Sequence, residues 1–333
     1  MIKIGERQIG ANRPCYIIAE AGLNHNGDPD LAKELIRQAA ACGADAVKFQ
    51  TYTPEELFPP DHPDYAKFQQ CVFSREVYAS LQETARAHHI TLLSTPFDEA
   101  SADLLESLQL PAFKIGSGEL THLAFLAYVA GKGKPMIVST GMATLEQILA
   151  AVDTLRNAGN TELALLHCVS AYPCPAEQAH VCMVKRLGDV FSFPIGYSDH
   201  TMTDTAAIAA VALGACIIEK HFTLSHDLPG WDHFFSYDPT QFSRFVEVIH
   251  ETGQIVGDKE KKVWGAEQPI ERIARRALYT RNELKAGHIL TKDDIVIRRP
   301  MGPIPAEQLD RVIGRTLDND LPAQSPLSPN DFS

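Results

Sequence analysis

The sequence has no long hydrophobic run. Although 45% of its 333 residues are hydrophobic, no stretch approaches the roughly 20 uninterrupted apolar residues that a membrane helix requires. The first five residues, Met1 to Gly5, also lack the apolar segment and the small-residue cleavage site of an export signal. We therefore expect a globular cytoplasmic protein that does not interact with a membrane.

Positive charge is scarce as well. The chain has 30 Lys and Arg residues against 42 Asp and Glu residues, and its net charge is -12. Such a surface repels nucleic acid, so we expect no nucleic-acid partner. An anionic ligand would have to be held by a local group of cations.

Motifs for covalent catalysis and for dinucleotide binding are missing. The seven cysteines are odd in number and scattered, which indicates reduced, buried thiols. The sequence contains no Cys-x-x-Cys or Gly-x-Ser-x-Gly pattern, and Gly116-Ser117-Gly118 is not followed by the third glycine of a dinucleotide fingerprint. We expect neither a covalent nucleophile nor a nicotinamide cofactor.

What the chain does contain is a repeated alternation of short β-branched segments and helical segments. We predict strands at residues 16–20, 46–50, 90–94, 112–115, 136–139, 163–167, 194–196 and 215–219. Eight strand-helix units in about 250 residues match the size of a (β/α)8 TIM barrel, an α/β fold. Among the helices, we predict N-terminal caps at Asp28, Thr144 and Thr240.

The pattern changes after the barrel. A charged run at residues 258–262 predicts a linker, and the chain from Ala277 is rich in Pro, Gly and short strand-like pieces. Residues 284–295 and 321–332 are identical at four of twelve aligned positions. We expect a barrel at residues 1–256, a linker at 257–276, and a small all-β module with internal pseudo-symmetry at 277–333.

Polar side chains stand at the end of every predicted strand. They are Glu20, Lys48, Gln50, Ser94, Thr95, Lys114, Ser117, Glu119, Ser139, Thr140, His167, Ser170, Ser198, Asp199, His200, Glu219 and His221. A single hydroxyl at such a position is an ordinary turn residue. Because the carboxyl ends of barrel strands form the active-site face, the whole set predicts one polar site.

Two lysines and two histidines within this set suggest its chemistry. Lys48 and Lys114 lie inside apolar strands, where each ammonium must face either a bound anion or a buried carboxylate such as Glu20 or Glu119. The neighbouring hydroxyl and glycine motifs, which begin at Ser117 and Ser139, favour a small phosphorylated ligand. His200 and His221 follow adjacent strands and either share a divalent metal or only form hydrogen bonds. His25 lies in a loop closed by a glycine and either joins the site or only orders that loop.

Eight strings in order resemble the sialic acid synthase family. They are residues 17–27 (IIAEAGLNHNG), 47–51 (VKFQT), 94–97 (STPF), 114–119 (KIGSGE), 139–142 (STGM), 166–168 (LHC), 196–200 (GYSDH) and 219–222 (EKHF). The resemblance implies a TIM barrel followed by a β-clip domain similar to type III antifreeze protein, the SAF domain. It also implies condensation of phosphoenolpyruvate with an N-acyl amino sugar such as N-acetylmannosamine, which yields phosphate and a sialic-type acid.

The same resemblance implies roles for individual residues. Phosphoenolpyruvate would be held by Lys48, Thr95, Lys114, Ser117, Ser139 and Ser198, and Gln50, Tyr172 and Asp232 would face the sugar. Glu119 and Ser170 would also bind substrate. His200 and His221 would hold manganese or magnesium, and Glu20 would position a water molecule or move a proton. Arg299, with Arg298 beside it, would contact the acyl group from the small domain of the partner in a domain-swapped homodimer.

Two departures from the family pattern leave the acceptor sugar open. Ser170 stands where many relatives have Asn, and Gly230-Trp231-Asp232 stands where they have Gly-Pro-Asp. A phosphorylated mannosamine, or a 2,4-diacetamido-6-deoxy sugar that gives a legionaminic- or pseudaminic-type acid, remains an alternative. Synthases of seven- or eight-carbon keto acids lack the C-terminal module, and the complete polar set argues against a non-catalytic sugar- or ice-binding scaffold.

Overall fold

A computed structural model describes residues 1–258 and 260–332. In it the chain forms two units, Met1–Asp258 and Lys259–Ser333. Lys259, in the expected linker, and Ser333, at the end of the expected C-terminal module, lie outside the described residues. The finer boundaries at residues 256 and 277 stay a prediction.

The first unit is built on eight parallel strands. An antiparallel hairpin of β1 (Ile2–Ile4) and β2 (Arg7–Ile9) precedes them. The eight are β3 (Tyr16–Gly22), β4 (Ala46–Thr51), β5 (Thr91–Pro96), β6 (Phe113–Ile115), β7 (Met136–Ser139), β8 (Leu163–Cys168), β9 (Ile195–Asp199) and β10 (Ile217–His221). Their order is β5-β4-β3-β10-β9-β8-β7-β6. The first and last strands of the series pair in parallel, so the sheet is a nearly closed barrel, as predicted.

Helices follow the strands and cover the barrel. They are α1 (Pro29–Ala41), α2 (Pro54–Leu57), α3 (Tyr65–Gln70), α4 (Arg75–Ala87), α5 (Glu99–Ser107), α6 (Leu123–Ala130), α7 (Leu145–Asn157), α8 (Cys182–Val190), α9 (Thr205–Ala212) and α10 (Pro239–Val256). None of the helices in the described residues combines the length and hydrophobicity needed to cross a bilayer.

The predicted helix caps are confirmed at two of three positions. Asp28 accepts hydrogen bonds from the first turn of α1, and Thr144 forms a reciprocal capping box at α7. The cap at Thr240 is wrong, because Asp238 caps α10 and Pro239 opens the helix. An aspartate followed by proline is the better start, since the carboxylate accepts N–H groups and proline has no N–H to leave unpaired.

The two ends of the barrel differ in character. At one end, Ile2, Ile4 and Ile9 of the hairpin cluster with buried side chains such as Tyr16 and Ile217, which begin their strands. This apolar plug was not anticipated from the sequence. It leaves the opposite end, where the strands finish, as the place where the polar residues collect.

The second unit has a small core of its own. It contains α11 (Gln268–Ala274), α12 (Leu309–Val312) and an antiparallel pair, β11 (Ala277–Thr280) and β12 (Ile295–Arg298). The predicted pseudo-symmetry is confirmed. Leu284 and Leu321, which are equivalent positions of the two repeats, form an antiparallel β-bridge. Both repeats contain the same capping box, at residues 291–294 and 328–331.

Candidate active site

A cavity of about 310 Å³ opens at the carboxyl ends of the barrel strands. Most of the predicted site residues line it. They are Glu20, Lys48, Gln50, Thr95, Lys114, Ser117, Ser139, Ser170, Tyr172, Ser198, His200, His221 and Asp232. Strands from all around the barrel contribute to this list, so the closure of the sheet brings together residues that are as much as 212 positions apart, from Glu20 to Asp232.

Two lysines and two glutamates form a buried cluster at the cavity. The Lys48 ammonium lies 2.6 Å from Glu20 Oε2 and 3.7 Å from Glu219 Oε2, and Lys114 lies 3.1 Å from Glu219 Oε1. Both lysines therefore have carboxylate partners, as the salt-bridge alternative predicted. The suggestion that Glu119 could be a partner is wrong, because Glu219 reaches Lys114 from β10.

The two carboxyl groups of this cluster have opposite pKa shifts. Burial raises the pKa of Glu20, and the neighbouring Glu219 adds to this effect although Lys48 opposes it. Burial also acts on Glu219, but Lys114 and Lys48 outweigh it and hold its pKa at about 2. A proton on Glu20 leaves one carboxylate against two ammonium groups, which is a positive site for an anion.

Hydroxyl groups surround the lysines. Lys48 donates to Thr95 Oγ1 at 3.1 Å, and Ser198 donates to Glu219 Oε1 at 3.0 Å. The Ser139 hydroxyl is buried and has no hydrogen-bond partner within the described chain. Because buried hydroxyls are normally paired, Ser139 is available to a ligand in this cavity.

Gly141 lets this wall of the cavity pack closely. Its N–H donates to Ser117 Oγ at 3.0 Å. A side chain at this position would collide with the hydroxyls of Ser117 and Ser170 and would lie 3.1 Å from Cys168 Sγ. Glycine is therefore required here for space, which explains its place in the Ser139-Thr140-Gly141-Met142 string.

His200 and His221 face each other at the same mouth. Their ring centres are 5.3 Å apart, and the ring of Tyr172 packs 4.3 Å from that of His200. The Nδ1 of His200 lies 2.7 Å from the Val169 carbonyl. A carbonyl only accepts, so Nδ1 donates and the Nε2 of a neutral His200 keeps a free lone pair.

The histidine pair fits a metal with few protein ligands. His221 Nδ1 is buried without a hydrogen-bond partner within the described chain, and it lies 3.6 Å from Asp232 Oδ2. Burial, and then His200, lower the pKa of His221 well below its usual value, which keeps the imidazole neutral as a ligand must be. Among the described residues, no group of three or more His, Cys, Asp or Glu side chains is arranged so that it could hold a metal ion. Two imidazoles thus leave most coordination positions to water or substrate.

Some strand-end residues do not reach the cavity. Ser94 bonds to Thr51 at 2.7 Å, the Nε2 of His167 donates to the Ala179 carbonyl at 2.9 Å, and Asp199 pairs with Lys220. Side chains alternate between the two faces of a strand, so only every second strand-end residue points inward.

The structure also places one expected site residue, Glu119, outside the cavity. Glu119 is not among the lining residues and lies 3.6 Å from His122 instead. Arg299 belongs to the second unit. His25 accepts the Gly27 N–H at 3.1 Å and packs between Phe49 and Phe73, so the loop-ordering alternative describes it.

Phe97, Met142 and Cys168 also line the cavity and were not predicted as site members. Glu219 was expected in the polar set at the strand ends, but its pairing with both lysines was not predicted. It stands two residues before His221 in a strand and therefore shares the inward face of that histidine. Cys168 was taken only as a buried thiol, and nothing in its sequence neighbourhood distinguishes a thiol in a cavity wall from one in the core.

The fold is similar to that of sialic acid synthetases. The crystal structure of N-acetylneuraminic acid (sialic acid) synthetase from Leptospira borgpetersenii serovar Hardjo-bovis, in complex with citrate, aligns with a TM-score of 0.78 and 34% sequence identity, and the match covers 81% of this chain and 94% of that one. The barrel, the polar mouth and the C-terminal module therefore define a barrel synthase of this class.

The particular family follows from the sequence comparisons. The NeuB family model matches residues 35–261 and the SAF domain model matches residues 275–333; the protein belongs to the NeuB family. The N,N'-diacetyllegionaminic acid synthase of Legionella pneumophila is 38% identical, over 97% of this chain and 96% of its own. The human N-acetylneuraminate-9-phosphate synthase is 31% identical, over 93% and 90%. These relatives support a synthase-type enzyme of carbohydrate biosynthesis.

Proposed function

We propose that the protein condenses phosphoenolpyruvate with the open-chain aldehyde of an unphosphorylated N-acyl amino sugar to give a sialic-type acid and phosphate. The observation that most supports the proposal is the buried Lys48–Lys114 pair among hydroxyl groups, of which that of Ser139 has no partner in the described chain, next to the two histidines. Phosphoenolpyruvate is a small trianion at most, and such a site matches it in charge and size.

The lysine cluster is the binding site for phosphoenolpyruvate in this proposal. Burial lowers the pKa of Lys114, and Glu219 opposes this effect. An arriving phosphate or carboxylate adds a second anion beside Lys114 and favours its charged form. Ser117, Ser139 and Thr95 donate or accept the remaining hydrogen bonds around the ligand.

Glu20 is the group that moves a proton or positions water. Burial raises its pKa and so favours its protonated form, and Gln50 Nε2 donates to its Oε1 at 3.2 Å. The enol carbon attacks the aldehyde carbon, and protonated Glu20 gives its proton to the aldehyde oxygen, which becomes a hydroxyl group. Water adds at C2 of the former phosphoenolpyruvate and returns one proton to Glu20. The bond between C2 and the bridging oxygen then breaks, C2 becomes a carbonyl, and the second water proton leaves with phosphate.

His200 and His221 would hold a divalent cation, manganese or magnesium, beside this centre. When bound there, the metal supplies Lewis-acid polarisation of the acceptor aldehyde. The ring of Tyr172 covers both imidazoles, which excludes water from one side of the pair. Asp232 adds a carboxylate next to His221 and faces the acceptor in this proposal.

The absence of a third cation favours an unphosphorylated acceptor. Among the described residues that line the cavity, Lys48 and Lys114 are the lysine or arginine side chains, and the proposal assigns both to phosphoenolpyruvate. A phosphate on the sugar would have no counterpart there. Apolar Phe97 and Met142 at the cavity also suit a 6-deoxy sugar. This feature, and the identity with the Legionella pneumophila enzyme, support a 2,4-diacetamido-6-deoxy sugar as the second candidate.

The small domain completes the site in trans in this proposal. Arg299 contacts the acyl group of the acceptor bound in the partner's barrel, so the active form is a homodimer with exchanged C-terminal domains. Guanidinium groups suit this role, because they donate to a carbonyl oxygen in a fixed geometry.

Phosphate release from phosphoenolpyruvate tests the proposal directly. The purified protein with Mn²⁺ is assayed with N-acetylmannosamine, its 6-phosphate, and a 2,4-diacetamido-2,4,6-trideoxy hexose, and phosphoenolpyruvate alone is the control. We expect release with at least one unphosphorylated acceptor, loss of activity on chelation and recovery with Mn²⁺. In ¹⁸O-labelled water the phosphate should remain unlabelled, because the carbon-oxygen bond breaks. Release with none of the acceptors, or label in the phosphate, would refute this function.

A further inference from the structure

A buried ion pair lies directly behind the two histidines. Asp199 immediately precedes His200, and Lys220 immediately precedes His221. The two residues are register partners across β9 and β10, and Lys220 Nζ lies 2.8 Å from Asp199 Oδ2. The side chains of Lys220 and Asp199 are 1% and 0% exposed. Since alternate side chains point to opposite faces, this pair lies on the outer face while the histidines lie on the inner one.

The pair also holds the loops that leave both strands. Lys220 Nζ donates to the Thr201 carbonyl at 2.5 Å, and Asp199 Oδ1 accepts the Thr201 N–H at 2.8 Å. On the other side, Lys220 lies 4.5 Å from the centre of the Tyr237 ring. The Tyr237 N–H in turn donates to the His221 carbonyl at 2.8 Å. The backbone on either side of both histidines is thus tied to one ammonium group.

Stability alone does not account for such a pair. Removing two charges from water has a large desolvation cost, and apolar residues of similar volume often stabilise a core equally well. The ion pair also constrains geometry, because one ammonium group with several acceptors fixes the relative position of the ends of β9 and β10. A shift of one strand against the other would break these contacts and separate the imidazoles.

We propose that Asp199 and Lys220 are positioning residues that set the distance and orientation of His200 and His221 for metal binding. The inference rests on the proposed function, because it concerns the same metal site. It assigns a role to two residues that touch neither substrate in the proposal. Their removal should weaken metal binding while it leaves phosphoenolpyruvate binding largely intact, because Lys48 and Lys114 lie on β4 and β6.

The test is Mn²⁺ binding to the Asp199→Asn/Lys220→Met double variant. The first substitution removes the negative charge but keeps a side-chain oxygen that can accept the Thr201 N–H, and the methionine of the second can fill the space of the lysine stem. The double change avoids the unpaired buried charge that a single substitution would leave. Lys132→Met is the matched control, since Lys132 pairs with Asp103 and Glu106 outside the cavity.

Calorimetry of the full-length proteins measures the outcome. We expect the Kd for Mn²⁺ to rise 10- to 100-fold in the double variant, as for other residues that orient metal ligands, with the Kd for phosphoenolpyruvate within about threefold of the original in the absence of metal. A thermal melt and circular dichroism confirm that the variant is folded. A Kd for Mn²⁺ within about twofold of the unaltered protein's would overturn the inference alone. Failure of the unaltered protein to bind Mn²⁺ would overturn both the inference and the metal step of the proposed function.

Discussion

At the scale of single residues, the environment decides what each charged group does. Glu20 and Glu219 are both buried and both near Lys48, yet the pKa of Glu20 is raised and that of Glu219 is lowered. The difference arises because Glu219 reaches two ammonium groups and Glu20 contacts one. The same carboxylate chemistry thus supplies one group that can exchange a proton and one that stays ionised.

Replacing Lys114 by methionine should remove most of the affinity for phosphoenolpyruvate. We expect the Kd to rise at least about 100-fold, because a buried charge-assisted contact to the anion is lost and Glu219 is left with fewer cations around it. Calorimetry with phosphoenolpyruvate measures the change, and Lys132→Met, at a partly exposed ion pair outside the cavity, should bind as tightly as the original. Unchanged affinity in Lys114→Met would reject the assignment of this lysine.

At the scale of elements, the ends of the strands and the loops that follow them hold the site in place. The loop after β3 is an example. His25 in this loop is fully buried beside Phe49 and Phe73, and burial lowers its pKa to about 3. The native loop therefore accommodates only the neutral imidazole. The consequence is that this one side chain makes its own contribution to the dependence of stability on pH.

The free energy of unfolding should fall as the pH drops below about 6.5, the ordinary pKa of histidine. In that range the unfolded chain takes up a proton at His25 that the native state refuses until the pH approaches 3. The contribution of His25 to the free energy of unfolding is fully present above about pH 6.5. Below that pH the contribution is progressively lost, by up to about 1.4 kcal/mol per pH unit. Urea unfolding between about pH 7 and about pH 5 measures the slope. The plot of the free energy of unfolding against pH should have a shallower slope for His25→Gln, by an amount that corresponds to at most one proton taken up on unfolding. Equal slopes for the variant and the unaltered protein would contradict the prediction.

At the scale of the whole molecule, two units share the work of the proposed reaction. The barrel supplies the cavity, and the SAF domain contains two adjacent arginines that differ in their surroundings. Arg298 stacks 5.5 Å from the centre of the Tyr279 ring and donates to Gln324 at 3.3 Å. Arg299 makes no side-chain hydrogen bond or ion pair within the described part of its own unit, and it is exposed. Arg299 is therefore the one available to another molecule.

Substituting these arginines separately should distinguish a structural role from a binding role. We expect Arg299→Ala to raise the KM for the acceptor sugar by about 10-fold or more, because a hydrogen-bonded cation at the acyl group is lost. The Kd for phosphoenolpyruvate should not change. Arg298→Ala should lower the melting temperature of the SAF domain, and it should change the KM for the acceptor sugar less than Arg299→Ala does. Steady-state kinetics and calorimetry provide these values, and an unaltered KM in Arg299→Ala would remove Arg299 from the site.

How far prediction from the sequence reached depended on whether a feature is local. The strands and the caps at Asp28 and Thr144 depend on residues a few positions apart, and the structure has them. The internal repeat of the SAF domain was also visible in the sequence, and in the structure both copies contain the same capping box. The cap at Thr240 failed because a stronger local signal, Asp238-Pro239, stood next to it. The prediction of a carboxylate partner for Lys114 was wrong for another reason, because Glu219 is distant from Lys114 in the chain and near it in the barrel.

The sequence by itself determined the eight strands, the order in which polar residues end them, and the change of character before the SAF domain, because side-chain periodicity and turn chemistry act over short stretches of chain. Only the tertiary structure decided which of those polar residues meet. Closure of the sheet places β10 beside β3, and the alternation of side chains then sends Glu219 and His221 into the cavity and Lys220 away from it. Distances between such residues depend on the twist and register of the whole barrel, which no single segment contains.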